Sequence, residues 1–128
     1  MPVASEYQEQ KTVVAWCRAQ KIPITSVPNG FFIPKKKETQ AEKVRRFGQI
    51  NKLKAEGMSS GFPDLIVFVQ DKALFIEMKN SKGGTVSPTQ KAWHKTLSEL
   101  GLDVFVANGA SEAINYISGF FNKKQGDS

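Results

Sequence analysis

The longest apolar runs of the chain lie near its middle, where residues 65–69 (Leu-Ile-Val-Phe-Val) and 73–76 (Ala-Leu-Phe-Ile) flank the polar residues 70–72. Runs of this length, rich in β-branched and aromatic residues, indicate strands that are covered on both faces. The short polar break between them predicts an antiparallel hairpin. We therefore expect this hairpin to be the centre of the fold.

Apolar residues at helical intervals and capping residues predict four helices around this hairpin. They are expected at Ser5 to about Gln20, at about Glu38 to Glu56, from the Ser87 cap to Gly101, and at about Ser111 to Phe120. Short strands are predicted at Ile24–Val27, at Phe31–Ile33 after an Asn29-Gly30 turn, and at Asp103–Ala107. This order predicts an α/β fold with a mixed central sheet flanked by helices.

The chain has 128 residues, which suits one domain spanning residues 1–128 with a polar, disordered tail at 124–128. No run of about 20 apolar residues is present, so we expect no membrane span. The first residues lack the basic and then apolar pattern of a secretory signal. Cys17 is the single cysteine, which excludes an intrachain disulfide and fits a cytoplasmic location.

Three charged residues, Asp64, Glu77 and Lys79, stand in or beside the predicted hairpin. A loop of two or three residues places Asp64 opposite Glu77, Met78 or Lys79, and residues two apart on a strand share a face. The three charged groups should therefore converge at one end of the hairpin. They form either an ion pair at a strand end or a site for Mg²⁺, whose water acts as a nucleophile.

The net charge is +6, and the basic residues are clustered in sequence. Two clusters that flank an acidic site favour a polyanionic partner, and nucleic acid is the simplest one. The residues that we expect to contact DNA are Lys35, Lys36, Lys37, Arg45, Arg46, Lys52, Lys54 and Lys82.

Pro63-Asp64 followed by Glu77-x-Lys79 resembles the signature of PD-(D/E)XK nucleases. The segment 52–57 (Lys-Leu-Lys-Ala-Glu-Gly) leading into Gly61-x-Pro63-Asp64 is similar to the virus-type replication-repair nuclease (VRR-NUC) family. The likeness extends from Glu6 through residues 87–90 (Ser-Pro-Thr-Gln) to the last helix. It implies a restriction-endonuclease-like αβββαβ core that carries a basic helical insert.

The resemblance also implies a set of site residues. Asp64, Glu77, Glu6 and the backbone carbonyl of Met78 would hold Mg²⁺ or Mn²⁺, and Lys79 would orient or activate water. Glu6 stands four residues before Gln10, as the family pattern requires, and Glu9 is its rival on the same helix.

Gln90 has two possible roles. It is placed as the partner of Ser87 in a capping box, and the resemblance implies that it is an auxiliary residue of the active site. His94, one helical turn later, is interpreted as a surface or packing residue.

Short members of the family resemble homodimeric enzymes that cleave DNA junctions. The resemblance therefore implies a metal-dependent DNA endonuclease that acts on four-way junctions as a homodimer. Phe120 and Phe121 would belong to the dimer interface or to the core. The alternatives are a DNA-binding module without activity, a nuclease for flaps or nicked DNA, and an RNA nuclease.

Overall fold

The computed structural model describes residues 3–28 and 37–126, with side chains described as far as residue 121. The structure contains helices α1 to α4 and strands β1 to β4. In chain order the elements are α1 (Glu6–Ala19), β1 (Ile24–Ser26), α2 (Gln40–Ala55), β2 (Leu65–Val69), β3 (Lys72–Lys79), α3 (Pro88–Glu99), β4 (Asp103–Asn108) and α4 (Ala110–Gly126). The predicted α/β class is confirmed.

The four strands form one mixed sheet in the order β1-β2-β3-β4. β2 pairs with β1 and β3 in antiparallel fashion, whereas β3 and β4 are parallel. The predicted hairpin is present, with Val69 opposite Lys72 across a two-residue turn. Its last pair is Leu65 with Ile76, so the next residues, Asp64 and Glu77, lie opposite each other. This is one of the three registers that the sequence allowed.

One face of the sheet carries the apolar core. Leu74, Ile76 and Met78 alternate along β3 on this face and are fully buried. They pack with residues of α1 and α4, among them Val13 and Ile117. Phe120 packs against this core, whereas Phe121 is exposed, which assigns the first of the two phenylalanines to the core.

α3 covers the other face. On β3 this face carries Phe75, Glu77 and Lys79, because successive side chains of a strand alternate between faces. Phe62 fills the space between the two layers, since its ring makes edge contacts with Phe75 at 5.7 Å and with Trp93 of α3 at 5.0 Å between centroids. The sheet therefore lies between one helix on this side and two on the other.

α2 is the helical insert expected from the sequence, and it is capped by Thr39 and Glu42. Its predicted apolar stripe is only partly covered: Ile50 is buried, whereas Val44 and Phe47 are exposed. Among the described residues, no other helix or strand packs against α2, since none has Cα atoms within 8 Å of those of this helix. α2 thus stands apart from the two helical layers.

One predicted boundary, the end of α4, needs correction. Another prediction lies outside the described residues. α4 continues to Gly126, past the predicted end at Phe120 and into the expected tail, because residues 121–125 (Phe-Asn-Lys-Lys-Gln) contain no glycine or proline to end a helix. The strand predicted at Phe31–Ile33 and the Asn29-Gly30 turn lie outside the described residues.

None of the described helices combines the length and the apolar character that crossing a membrane requires.

Candidate active site

The charged residues of the hairpin meet at the end of the sheet where β3 stops. Glu77 and Lys79 lie on the α3 face and are almost completely buried, with 1% and 6% of their surface exposed. β4 fixes this end of the strand, since Lys79 pairs with Asn108 and its carbonyl accepts a hydrogen bond from Gly109 N at 2.9 Å. Two adjacent charges on a buried strand face are costly unless partners satisfy them.

Asp64 is tied to both neighbouring strands. Its backbone carbonyl accepts a hydrogen bond from Val27 N at 2.8 Å, and its side-chain Oδ2 accepts one from Met78 N, also at 2.8 Å. The side chain therefore takes the place of a backbone partner just beyond the last residue pair of the hairpin. These two bonds fix the direction of the Asp64 carboxylate toward Glu77.

Gln90 has the structural role of a cap and also contacts both buried charges. Its Oε1 accepts hydrogen bonds from Ser87 N at 2.9 Å and from the Lys79 ammonium at 3.1 Å. Its Nε2 donates to Glu77 Oε2 at 3.1 Å. The two roles considered for this glutamine are thus compatible, because the capping box points its amide into the site.

The electrostatics of the site are dominated by the two carboxylates. Burial raises the pKa of Glu77 from the usual 4.5 to about 9, and the charge of the neighbouring Asp64 carboxylate adds to the effect. Lys79 lowers the pKa of Glu77, but less strongly, and Glu6 raises it slightly. Without a further cation, Glu77 therefore keeps its proton at neutral pH.

His94 also belongs to this site, although the sequence interpretation left it at the surface or in the packing. Its Nε2 lies 3.5 Å from Glu77 Oε1, and burial together with the charge of Lys79 lowers the pKa of the imidazole. The signal that could have identified it is its spacing, because it follows Gln90 by one helical turn and so shares its face.

The first helix presents two glutamates with different surroundings. Glu9 is partly buried and its Oε1 accepts a hydrogen bond from Ala110 N at 3.3 Å, at the beginning of α4. Glu6 is exposed, and its charge acts on Glu77. The structure therefore engages Glu9 in a helix contact, and the role of Glu6 as the metal ligand of this helix stays a prediction.

A glycine holds the Asp64 loop against α3. Gly61 has a φ of +86°, and a Cβ atom there would lie 2.6 Å from the carbonyl carbon of Thr89. Only a residue without a side chain allows this approach. Since Thr89 precedes Gln90, the contact brings the loop that carries Asp64 next to the helix that carries Gln90.

The donor set fits a divalent cation bound partly by other ligands. Two opposed carboxyl groups, of which Glu77 loses its proton when a cation binds, are suitable for Mg²⁺ or Mn²⁺, which are often held by one or two carboxylates, water and substrate phosphate. Among the described residues, no three His, Cys, Asp or Glu side chains form a group that could hold a metal ion. Backbone carbonyls such as that of Met78, water and phosphate would therefore have to complete the coordination.

Most of the described basic candidates lie on the surface. Arg46 differs, because it donates two hydrogen bonds to Glu38, at 2.8 and 3.2 Å, and lies over the ring of Phe47. Lys35 and Lys36 lie outside the described residues. The exposed candidates are Lys37, Arg45, Lys52, Lys54 and Lys82.

Known proteins resemble this chain both in sequence family and in fold. The family model of the VRR-NUC domain matches residues 4–111. A solved structure described as a VRR_NUC domain protein superposes with a TM-score of 0.72 at 23% sequence identity, covering 94% of this chain and 91% of that chain. Among curated proteins, none matches. The resemblance inferred from the sequence is confirmed, and the structural likeness confirms the fold.

Proposed function

Because the chain belongs to the VRR-NUC domain family, whose members form part of a nuclease superfamily, we propose that it is a metal-dependent endonuclease that hydrolyses phosphodiester bonds in DNA. One arrangement supports this proposal above all. Buried Glu77 lies opposite Asp64, and Gln90 holds the ammonium of Lys79 beside them. Binding of DNA without cleavage has no need for carboxylates that repel phosphate.

Asp64 and Glu77 would hold Mg²⁺ or Mn²⁺ together with the backbone carbonyl of Met78, and the family resemblance adds Glu6, the exposed glutamate of α1 whose charge acts on Glu77. Such a cation supplies a water nucleophile at neutral pH and offsets the charge of the phosphate. The ammonium of Lys79 is a donor of fixed direction, because Gln90 Oε1 accepts one of its protons. Its remaining protons can orient the attacking water or stabilise charge on the phosphate oxygens.

The substrate that we propose is branched DNA, with a four-way junction first, bound along the exposed basic residues of α2 and by Lys82. Two copies of the chain would place two sites on opposite strands, so the proposal includes a homodimer and a cytoplasmic location. Each phosphate neutralised should steepen the salt dependence by about 0.9 in log K per log of salt concentration.

The test offers end-labelled four-way junction, flap, nicked duplex and plain duplex DNA, and a matched RNA duplex, to the purified protein with EDTA, Mg²⁺ or Mn²⁺. We expect strand scission that requires the metal and is restricted to branched DNA. The Glu77→Gln and Asp64→Asn variants, purified in parallel, reveal any contaminating nuclease, and sedimentation reports the oligomeric state.

If the protein binds the junction but does not cleave it under any of these conditions, the proposed endonuclease activity is contradicted and a DNA-binding module is favoured. Equal cleavage of all DNA substrates would contradict only the junction preference. Preferred cleavage of RNA would contradict the substrate class.

A further inference from the structure

His94 and Glu77 present two polar atoms to each other in the interior of the site. Nε2 of His94 lies 3.5 Å from Oε1 of Glu77, and the two side chains are 16% and 2% exposed. In the described part of the chain, these are the two buried side-chain polar atoms that lack a hydrogen-bond partner. Unpaired buried polar groups are unfavourable, so two of them in contact indicate an interaction between them.

The other oxygen of the same carboxylate is already held from the same helix. Gln90 donates its Nε2 to Glu77 Oε2 at 3.1 Å. Gln90 and His94 are separated by one helical turn, so both project from the same face of α3. The helix therefore places one side-chain nitrogen next to each oxygen of the carboxylate.

We infer that His94 is a positioning residue, which donates a hydrogen bond from Nε2 to Glu77 Oε1 and, with Gln90, fixes the orientation of the carboxylate for metal binding. This inference rests on the proposed function, because it concerns the same site. The inference requires the neutral imidazole to carry its proton on Nε2. His94 acts through Glu77 and does not touch the substrate or the cation.

The contact is long for a hydrogen bond. At 3.5 Å the two atoms are about 0.5 Å farther apart than in a typical N–H···O bond. Since neither atom has another hydrogen-bond partner among the described residues, each is available to the other.

Direct ligation of the cation by His94 is less favoured. Asp64, Glu77 and His94 do not form a group that could hold a metal ion in the described residues. Each carboxylate oxygen also has two lone pairs, so Glu77 can accept one donor on each oxygen and still bind a cation. The structure thus provides a direct contact for His94 without assigning it to the coordination shell.

The test measures Mn²⁺ binding to the DNA-free protein, from the electron paramagnetic resonance signal of unbound Mn²⁺. His94→Leu and His94→Phe, which remove the donor but keep an apolar side chain, should weaken Mn²⁺ affinity by about 10- to 100-fold. His94→Gln should retain most of the affinity, because its amide nitrogen is a donor near the position of Nε2. Ser98→Ala, at an exposed position on α3, is the control and should bind like the parent.

Circular dichroism and thermal unfolding identify any variant that does not fold, and the two apolar variants serve as replacements for each other. Unchanged affinity in the folded apolar variants would overturn the inference and leave the proposed function intact. Affinity as weak in His94→Gln as in His94→Leu would overturn the donor role. If pulsed electron paramagnetic resonance shows imidazole nitrogen coupled to Mn²⁺ in the parent, His94 is a metal ligand and the inference is overturned. A parent that binds no Mn²⁺ would overturn the metal site itself.

Discussion

The two faces of β3 bury different kinds of side chain, and different interactions stabilise them. On one face Leu74, Ile76 and Met78 are dry and apolar, covered by α1 and α4. On the other, Glu77 and Lys79 are just as buried but depend on single hydrogen bonds from α3. The first face is stabilised by burial of apolar area, which has no direction. The second depends on the position of individual atoms, so it is suited to chemistry and is costly for stability.

Ile76 and Glu77 are neighbours in sequence on opposite faces, so the pair separates chemistry from stability. Glu77→Gln should reduce cleavage by about 1,000-fold or more, because the neutral amide is a poor ligand for a hard cation. The initial rate of junction cleavage at saturating Mg²⁺ measures this effect. The variant should unfold at a temperature no lower than that of the parent.

Ile76→Ala should have the reverse effect. A cavity in the core costs about 2–5 kcal/mol of the free energy of unfolding, measured by urea denaturation. The molecules that stay folded should cleave at a rate close to that of the parent. Loss of cleavage in fully folded Ile76→Ala, or unfolding of Glu77→Gln, would break the distinction between the two faces.

The contact between the Asp64 loop and α3 can be tested by substituting two glycines. Gly61 and Gly57 both have positive φ values, +86° and +109°, but a Cβ atom at Gly57 would meet nothing within 4 Å. Either alanine should cost about 1–2 kcal/mol for the backbone conformation. Gly61→Ala should in addition push the loop away from Thr89 and reduce cleavage by about 10-fold or more.

Thermal unfolding and cleavage rates of both variants, measured side by side, check this expectation. The comparison fails if Gly57→Ala loses as much cleavage as Gly61→Ala, because the backbone conformation alone would then account for the effect.

The smallest expected effect is the pH dependence of stability without metal. The pKa of Glu77 is raised from 4.5 to about 9 by burial and by Asp64, so the folded protein keeps a proton that the unfolded chain releases. Stability is therefore full below about pH 4.5 and is lost as the pH rises toward 9. Between pH 7 and 9 in EDTA, the unfolding temperature of the parent should fall by about 5 °C more than that of Glu77→Gln.

The pKa of His94 is lowered, so its imidazole is already neutral between pH 7 and 9. It therefore contributes little to the difference in unfolding temperature. Parallel curves for the parent and Glu77→Gln would mean that Glu77 is ionised in the folded protein without metal.

The sequence by itself determined most of the described elements and the convergence of the charged residues at the end of the hairpin. Continuous apolar runs and a short polar break were sufficient for the hairpin, because a two-residue loop leaves few registers. The spacing of Glu77 and Lys79 placed both on one face in every register. Ser87 and Gln90 gave the beginning of α3, since a capping box depends only on local chain geometry.

Only the tertiary structure decided which long-range neighbours share the site. The opposition of Asp64 and Glu77 depended on the actual turn, and the contact of His94 with Glu77 depended on how α3 crosses the sheet. The hydrogen bond of Glu9 with the first turn of α4 depended on how α1 and α4 pack together. Periodicity assigns a residue to a face, but the distance between two faces is set by the packing between them.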